Sequence, residues 1–254
     1  MNRLRTIVLL VAALALVAAA CGDDEGGGEY DLVAEGTLTV CTDAPYPPME
    51  IEVDGEFTGF DIELMRAIAG ELDLDLEVVN IGFDPITSGL AMEAGDCDIA
   101  AASITITAER EENIDFTDAY FVADQSLLAK TDSGISTLAD MAGRNLGVQS
   151  GTTGEIYANE NDPGASIISF ENPGDLFTAL EAGQIEAILQ DIVPNAAEAL
   201  ENDTVAVVET YPTQEEYGFA LQEDGKDALR EAVNDALETL RGDGTYDSIY
   251  DDWF

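Results

Sequence analysis

Gly59-Phe60-Asp61-Ile62-Glu63-Leu64-Met65-Arg66-Ala67-Ile68-Ala69-Gly70-Glu71-Leu72 is the stretch on which the fold turns. Ile62, Met65, Ile68, Ala69 and Leu72 share one face at helical spacing, as in a helix laid on a core. Asp61 stands at the start of that pattern and is read as its N-terminal cap. Before it, Thr37-Leu38-Thr39-Val40-Cys41 alternates and is β-branched, which predicts a strand. After it come a strand over Glu77 to Ile81, a helix from Ile86 to Ala94 stopped by Gly95, and a strand over Asp98 to Ala102. Strands and helices alternating in this way call for a parallel sheet with right-handed crossovers, an α/β fold.

A second unit of the same kind follows. Leu138 to Ala142 predicts a short helix and Asn145 to Val148 a strand. Ser150-Gly151-Thr152-Thr153-Gly154 is a small-residue turn, and Glu155 to Asn159 opens another helix. A helix over Asp175 to Ala182 stops at Gly183, and a strand over Ile185 to Leu189 runs to Asp191. The last long helix, Lys226 to Arg241, buries Leu229, Ala232, Val233, Ala236, Leu237 and Leu240, with Gly242 as its terminator. No internal repeat is evident. Ligands of open α/β sheets sit beyond the carboxyl ends of the strands. That singles out Asp43, Ser103, Thr105, Ser150 to Thr153 and Asp191.

Composition narrows the function. The 254 residues carry 53 Asp+Glu against 9 Lys+Arg, a net charge of −44, and Lys130 and Lys226 are the only lysines. Nothing could neutralise the phosphates of a nucleic acid, and an anionic lipid surface would repel the chain. The acids are spread over the whole length, not gathered in a tail. Salt screens such self-repulsion over roughly 10 Å at 0.1 M, so the pattern reads as halophilic adaptation. With no histidine, imidazole bases, Ser-His pairs and His-based metal sites are all absent. No cofactor or metal is expected.

The N-terminus reads as a targeting segment. Arg3 and Arg5 precede an apolar run from Ile7 to Ala20, too short to span a ~30 Å hydrocarbon core. It ends in Val17-Ala18-Ala19-Ala20 before Cys21 and resembles a bacterial lipoprotein signal, with Ala18 where leucine is usual. Residues 1–20 would be removed and Cys21 acylated, and residues 21–35 would form an acidic, Gly-rich tether. Cys41 and Cys97 fall at opposite ends of two expected parallel strands, too far apart to bridge, and are read as unpaired.

Gly59 to Leu64, with Ile68-Ala69 and Leu72, resembles the signature of family 3 of the bacterial extracellular solute-binding proteins. Four more segments agree in order. They are Thr42-Asp43-Ala44-Pro45-Tyr46-Pro47-Pro48-Met49-Glu50, Ser103 to Arg110 running into Ile114-Asp115-Phe116-Thr117, Val148 to Thr153, and Gly244-Thr245-Tyr246 through Trp253-Phe254. The resemblance covers residues 36–254. It implies a two-lobe periplasmic-binding-protein fold of type II, each lobe a mostly parallel sheet flanked by helices. Lobe 1 would be residues 36–120 plus 218–254, lobe 2 residues 125–212, with crossings near 120–124 and 213–217. Function would be capture of a polar or basic L-amino acid by hinge closure, outside the cytoplasm, and its delivery to an ABC transporter permease. A lipid-anchored monomer without enzymatic activity is expected.

Burying a zwitterion requires a cation for its carboxylate and an anion for its ammonium. Arg110 matches the family's carboxylate-binding arginine, and a guanidinium fork suits a carboxylate bidentately. Asp191 matches the ammonium-binding aspartate, on the other lobe. Thr105 through its hydroxyl, Ser103 through its carbonyl and Thr153 through its N–H at a helix start would complete those contacts. Asp43, Tyr46 and Phe83 would shape the side-chain pocket, and Gln149 would tune selectivity. Two rivals use the same fold: a cyclohexadienyl dehydratase-like enzyme acting on arogenate or prephenate, and a lipoprotein that presents its ligand to a receptor.

Overall fold

A computed structural model describes residues 30–161 and 163–254. The signal peptide, Cys21 and the first part of the tether lie outside the described residues. Among the described residues there are two five-stranded sheets, and the first has the order β4-β1-β5-β12-β6. It comprises β1 (Thr37–Thr42), β4 (Asp75–Asn80), β5 (Ile99–Ala100), β6 (Ile114–Phe116) and β12 (Ala220–Gln222). β1 is parallel to β4 and β5, while β12 is antiparallel to β5 and β6. A hairpin of β2 (Ile51–Val53) and β3 (Glu56–Thr58) stands apart.

The second sheet has the order β11-β7-β10-β8-β9. Its strands are β7 (Phe121–Lys130), β8 (Asn145–Gln149), β9 (Ser166–Phe170), β10 (Ala187–Asp191) and β11 (Val205–Tyr217). β8, β9 and β10 are parallel, and β7 is antiparallel to β10 and β11. Both sheets are therefore mixed, each with a parallel trio of strands and an antiparallel pair. Helices flank each sheet, giving two α/β lobes.

The helix over residues 60–71 forms as α1 (Phe60–Glu71), with Phe60, Ile62, Leu64, Met65 and Ile68 fully buried. Each such side chain contributes about 1.5–3 kcal/mol. Asp61 does not cap it. The cap position is Gly59, at φ 120°, where a Cβ would lie 2.2 Å from the Met49 carbonyl oxygen. Only glycine fits there, and the backbone turns Asp61 inward to accept the Ser103 N–H at 3.0 Å. The single helix expected over residues 86–94 is two, α2 (Phe83–Thr87) and α3 (Leu90–Glu93). They part at Gly89, whose φ of 80° breaks the helical ladder.

In the second lobe lie α4 (Thr153–Glu160), α5 (Pro173–Ala182) and α6 (Ile192–Glu201). Asn172 caps α5 by accepting the Gly174 N–H at 2.8 Å. α7 (Asp227–Asp243) and α8 (Thr245–Trp253) return to the first lobe and pack on α1. α7 passes through Gly242 and ends at Gly244, which takes the left-handed conformation of a C-terminal cap at φ 90°.

Cys41 and Cys97 form a disulfide with a Cα–Cα distance of 5.6 Å, so the reading of two free thiols is corrected. That reading took the strand to start at Asp98, with Cys97 in register at its head. β5 starts only at Ile99, and Cys97 lies in the irregular segment between α3 and β5, outside the strand register, where it approaches the β1 residue Cys41. Residues 30–35 already belong to the first lobe: Tyr30 and Leu32 pack on its core, and the Val33 N–H donates to Asp98 at 2.7 Å.

Two segments join the lobes, the start of β7 and the end of β11. They pair with one another, with the register interrupted between Tyr211 and Glu215. On the first-lobe side Tyr120 stacks on Phe219 at 4.1 Å and Phe121 on Tyr217 at 5.7 Å between ring centroids.

Candidate functional site

The parallel strands of both sheets aim their carboxyl ends at one cleft. Asp43 follows β1, Ser103 and Thr105 follow β5, Gln149 ends β8, and Asp191 ends β10. All nine residues singled out in the sequence, Asp43, Tyr46, Phe83, Ser103, Thr105, Arg110, Gln149, Thr153 and Asp191, line a single cavity. The lobes are closely apposed around it. The free space left between them is small, with room for about one water.

Arg110 opens a 3-10 turn (Arg110–Glu112) and is 7% exposed. Its guanidinium lies over the Phe83 ring, 5.0 Å from the centroid. It donates to the Thr105 carbonyl at 2.8 Å and, across the cleft, to the Gly151 carbonyl at 3.1 Å. Both acceptors are neutral. Burial lowers its pKa, and the charges of Asp191, Glu215 and Glu109 oppose that shift from a distance. The arrangement presents a desolvated, rigidly held cation with no carboxylate bonded to it among the described residues.

Asp191 faces it from the second lobe. Its carboxylate accepts from the Gln125 side-chain amide and the Tyr217 hydroxyl, both in very close contact. Burial, followed by the nearby Glu215 charge, pushes its pKa to about 7 against the help of Tyr217, Tyr46 and Arg110. Neither Gln125 nor Glu215 was legible as a site residue. The Gln125 amide also donates to Thr153 at 3.2 Å and to Glu215 at 3.0 Å, and Glu215 accepts the Thr105 hydroxyl at 2.9 Å. A buried glutamine inside the apolar run of β7 was the only available signal, and Glu215 sits beside an irregularity that periodicity does not anticipate.

Away from Arg110 and Asp191, Gln149 donates to Asp43 at 2.6 Å, joining the lobes. Asp43 is 7% exposed. Burial raises its pKa to about 6, the Gln149 bond lowers it, and Asp84 raises it slightly further. Asn80 braces the adjoining backbone, donating to the Ala44 carbonyl and accepting the Ala44 N–H, each at 3.0 Å. Thr153 is the first residue of α4, whose cap Thr152 accepts the Glu155 N–H at 3.3 Å. Among the described residues no cluster of three or more His, Cys, Asp or Glu side chains is arranged to hold a metal.

The chain has clear relatives. Residues 38–254 match the model of the bacterial extracellular solute-binding proteins, family 3. The ABC transporter glutamine-binding protein GlnH of Bacillus subtilis is 31% identical, over 100% of this chain and 97% of that protein. An ancestral arginine-binding protein, solved bound to arginine, superposes with a TM-score of 0.79 at 38% identity, over 86% of this chain and 98% of that one. An ancestral amino acid-binding protein described as a precursor of cyclohexadienyl dehydratase, AncCDT-1, gives 0.80 at 38% identity, over 86% and 96%.

Proposed function

The chain belongs to family 3 of the bacterial extracellular solute-binding proteins, and from that premise we propose that its cleft seizes a zwitterion end to end between the lobes. The cargo is a polar or basic L-amino acid, and its destination is an ABC-type permease. Arg110 receives the α-carboxylate through the donors left on its fork, with the N-terminus of α4 beside it. Asp191 receives the α-ammonium, aided by the Ser103 carbonyl and the Thr105 hydroxyl. A bound ammonium favours the ionised form of Asp191, so the carboxyl that is half protonated near neutral pH becomes a full anion on binding.

The observation that carries this reading is the placement of Arg110 and Asp191. They are a buried cation and a buried carboxyl, set on different lobes, facing one cavity and not bonded to one another. A ligand carrying both charges favours the closed arrangement because only there can it reach both. The segments 120–124 and 213–217 are the proposed hinge, since among the described residues β7 and β11 carry the chain between the two five-stranded sheets.

The distal end selects the side chain. Asp43, Asp191 and Glu215 set three carboxyl groups around one arginine, so a cationic ligand side chain improves the electrostatic balance and an acidic one worsens it. The relatives whose names or structures concern arginine and glutamine are consistent with a donor-rich side chain meeting the Asp43–Gln149 pair. Anchoring through an acylated Cys21 is part of the proposal and rests on the sequence alone; the intact mass of the native protein from membranes tests it. The cargo is tested by a thermal-shift screen of the mature domain against the twenty L-amino acids, ornithine, citrulline and prephenate. Stabilisation by arginine, lysine, ornithine or glutamine supports the reading. A response to prephenate alone would overturn it.

A further inference from the structure

Behind Ser103 lie two carboxyl groups that do not line the cavity. Glu50 and Asp61 are both fully buried. Asp61 Oδ2 accepts the Ser103 N–H at 3.0 Å and the Tyr120 hydroxyl at 2.7 Å. Glu50 Oε1 accepts the Ser103 hydroxyl at 3.0 Å. The remaining oxygens, Glu50 Oε2 and Asp61 Oδ1, have no donor from any other described residue. The two carboxyls are within hydrogen-bonding reach of one another. Both carboxyls bond to Ser103, and a single proton shared by the pair would give each a partner, whereas its absence would leave two buried anions side by side.

Ser103 is what they share. It lines the cavity with φ at 49°, a left-handed conformation that a serine keeps only where its surroundings hold it. Its two local donors, N–H and hydroxyl, are both taken by the carboxyl pair. Glu50 reaches further, because its backbone exchanges two hydrogen bonds with Tyr46, at 2.7 and 3.1 Å. The loop carrying Asp43 and Tyr46, the start of α1 and the turn after β5 thus meet at this pair.

We propose that Glu50 and Asp61 act as one positioning unit, sharing a proton, that holds Ser103 in its left-handed conformation and so sets the ligand-facing edge of the first lobe. The inference rests on the cleft being a binding site, but not on which amino acid fills it. The environment agrees with a shared proton. Burial is the main cause raising both carboxyls, and the groups acting most strongly on them are each other, Ser103, Tyr120 and, for Glu50, Asp43. None of these is a cation.

The chemistry of the pair makes an unusual demand on variants. Glu50→Gln replaces a neutral acid by a neutral amide, whose NH2 can donate to Asp61 while its oxygen accepts the Ser103 hydroxyl. Asp61→Asn reverses the roles, donating to an ionised Glu50. Glu50→Gln/Asp61→Asn together set donor against donor. The expected results for L-arginine binding by calorimetry are Kd within about threefold of native for each single amide. Glu50→Leu and the double amide should each weaken binding about tenfold, the value of the left-handed strain released. In a Ser103→Gly background, where glycine adopts φ > 0 unaided, Glu50→Leu should change Kd by less than about twofold. Circular dichroism and melting curves establish that each variant is folded. If Glu50→Gln binds as poorly as Glu50→Leu, or Glu50→Leu costs as much in the Ser103→Gly background as in the native one, the pair is core filling and the proposal fails. Infrared spectra supply a readout independent of ligand. At about pH 8.5, above the values near 6 and 7 of Asp43 and Asp191, a protonated-carboxyl band should remain in native protein and vanish in Glu50→Gln. No such band in native protein overturns the shared proton. A native protein that ignores L-arginine yet keeps the band counts against the cargo, not against the pair.

Discussion

At one end of the cavity Arg110 and Asp191 are each held from several sides, whereas at the other Asp43 and Gln149 are joined across the lobes chiefly by one short bond. The first end is a lattice of Thr105, Gln125, Thr153, Glu215 and Tyr217, drawn from both lobes and both connecting strands. On the proposed assignment, the difference follows from the two jobs an amino-acid site has. The α-carboxylate and α-ammonium are common to every amino acid, so the groups meeting them profit from rigidity. The side chain is what varies, and a pair that can exchange its mutual bond for bonds to a ligand adapts without disturbing the rest.

The comparison breaks first at Arg110. Arg110→Ala should weaken L-arginine binding by at least about a hundredfold, because an unpaired buried carboxylate costs about 3–5 kcal/mol. Ligand-free folding should persist, and Arg110→Lys should fail to restore affinity because an ammonium cannot fork two bonds onto one carboxylate. Calorimetry with a melting curve on each variant reads both. Asp191→Asn should cost somewhat less, about 2 kcal/mol or thirtyfold, and should cost it equally for arginine and glutamine. Unequal losses would mean that Asp191 meets the side chain and not the ammonium.

Asp43→Asn should act on the other end alone. We expect L-arginine to lose about tenfold, about 1.5 kcal/mol for a charged hydrogen bond, with L-glutamine losing less. Competition between the two ligands measures that change of preference directly. A uniform loss would erase the division between the ends.

Proton linkage separates binding from stability by sign. Asp43 and Asp191 bind protons more tightly in the folded chain, near 6 and 7, than the ordinary carboxylate value of 3.8. Their contribution to ligand-free stability is therefore present in full below 3.8 and lost as pH rises through 6 and 7, on the order of 3 kcal/mol for Asp43. A cationic ligand requires the opposite form, so its Kd should rise as pH falls below 7, by up to about tenfold per unit. Melting curves and calorimetry from pH 8 to 5 should move in opposite directions. The smallest effect on binding should come from Cys41→Ser with Cys97→Ser. Removing that disulfide should cost stability of about 2–5 kcal/mol, yet leave Kd nearly unchanged because both sulfurs lie below the cavity lining.

Local patterns carried much of this molecule. The apolar spacing after Gly59 and the alternation at Thr37 to Cys41 announce α1 and β1, because helix and strand periods are properties of neighbouring residues. The polar residues following each strand announced the cavity lining for the same reason: where a strand ends, its next side chain stands at the sheet's edge. The charge balance argues against nucleic acid as a partner without any structure at all. Other features depend on residues far apart in the chain. Asp61 reads as a cap and becomes an acceptor for Ser103, 42 residues away, because the close approach of Gly59 to Met49 rotates it inward. Cys41 and Cys97 meet because β5 begins later than its sequence suggests. Gln125 and Glu215 lie 90 residues apart and become site residues only when β7 and β11 pair. Sequence determined which residue types stand at the strand ends; only tertiary structure decided which of them share a proton, a sulfur bridge or a hydrogen bond, since those depend on distances that no local period encodes.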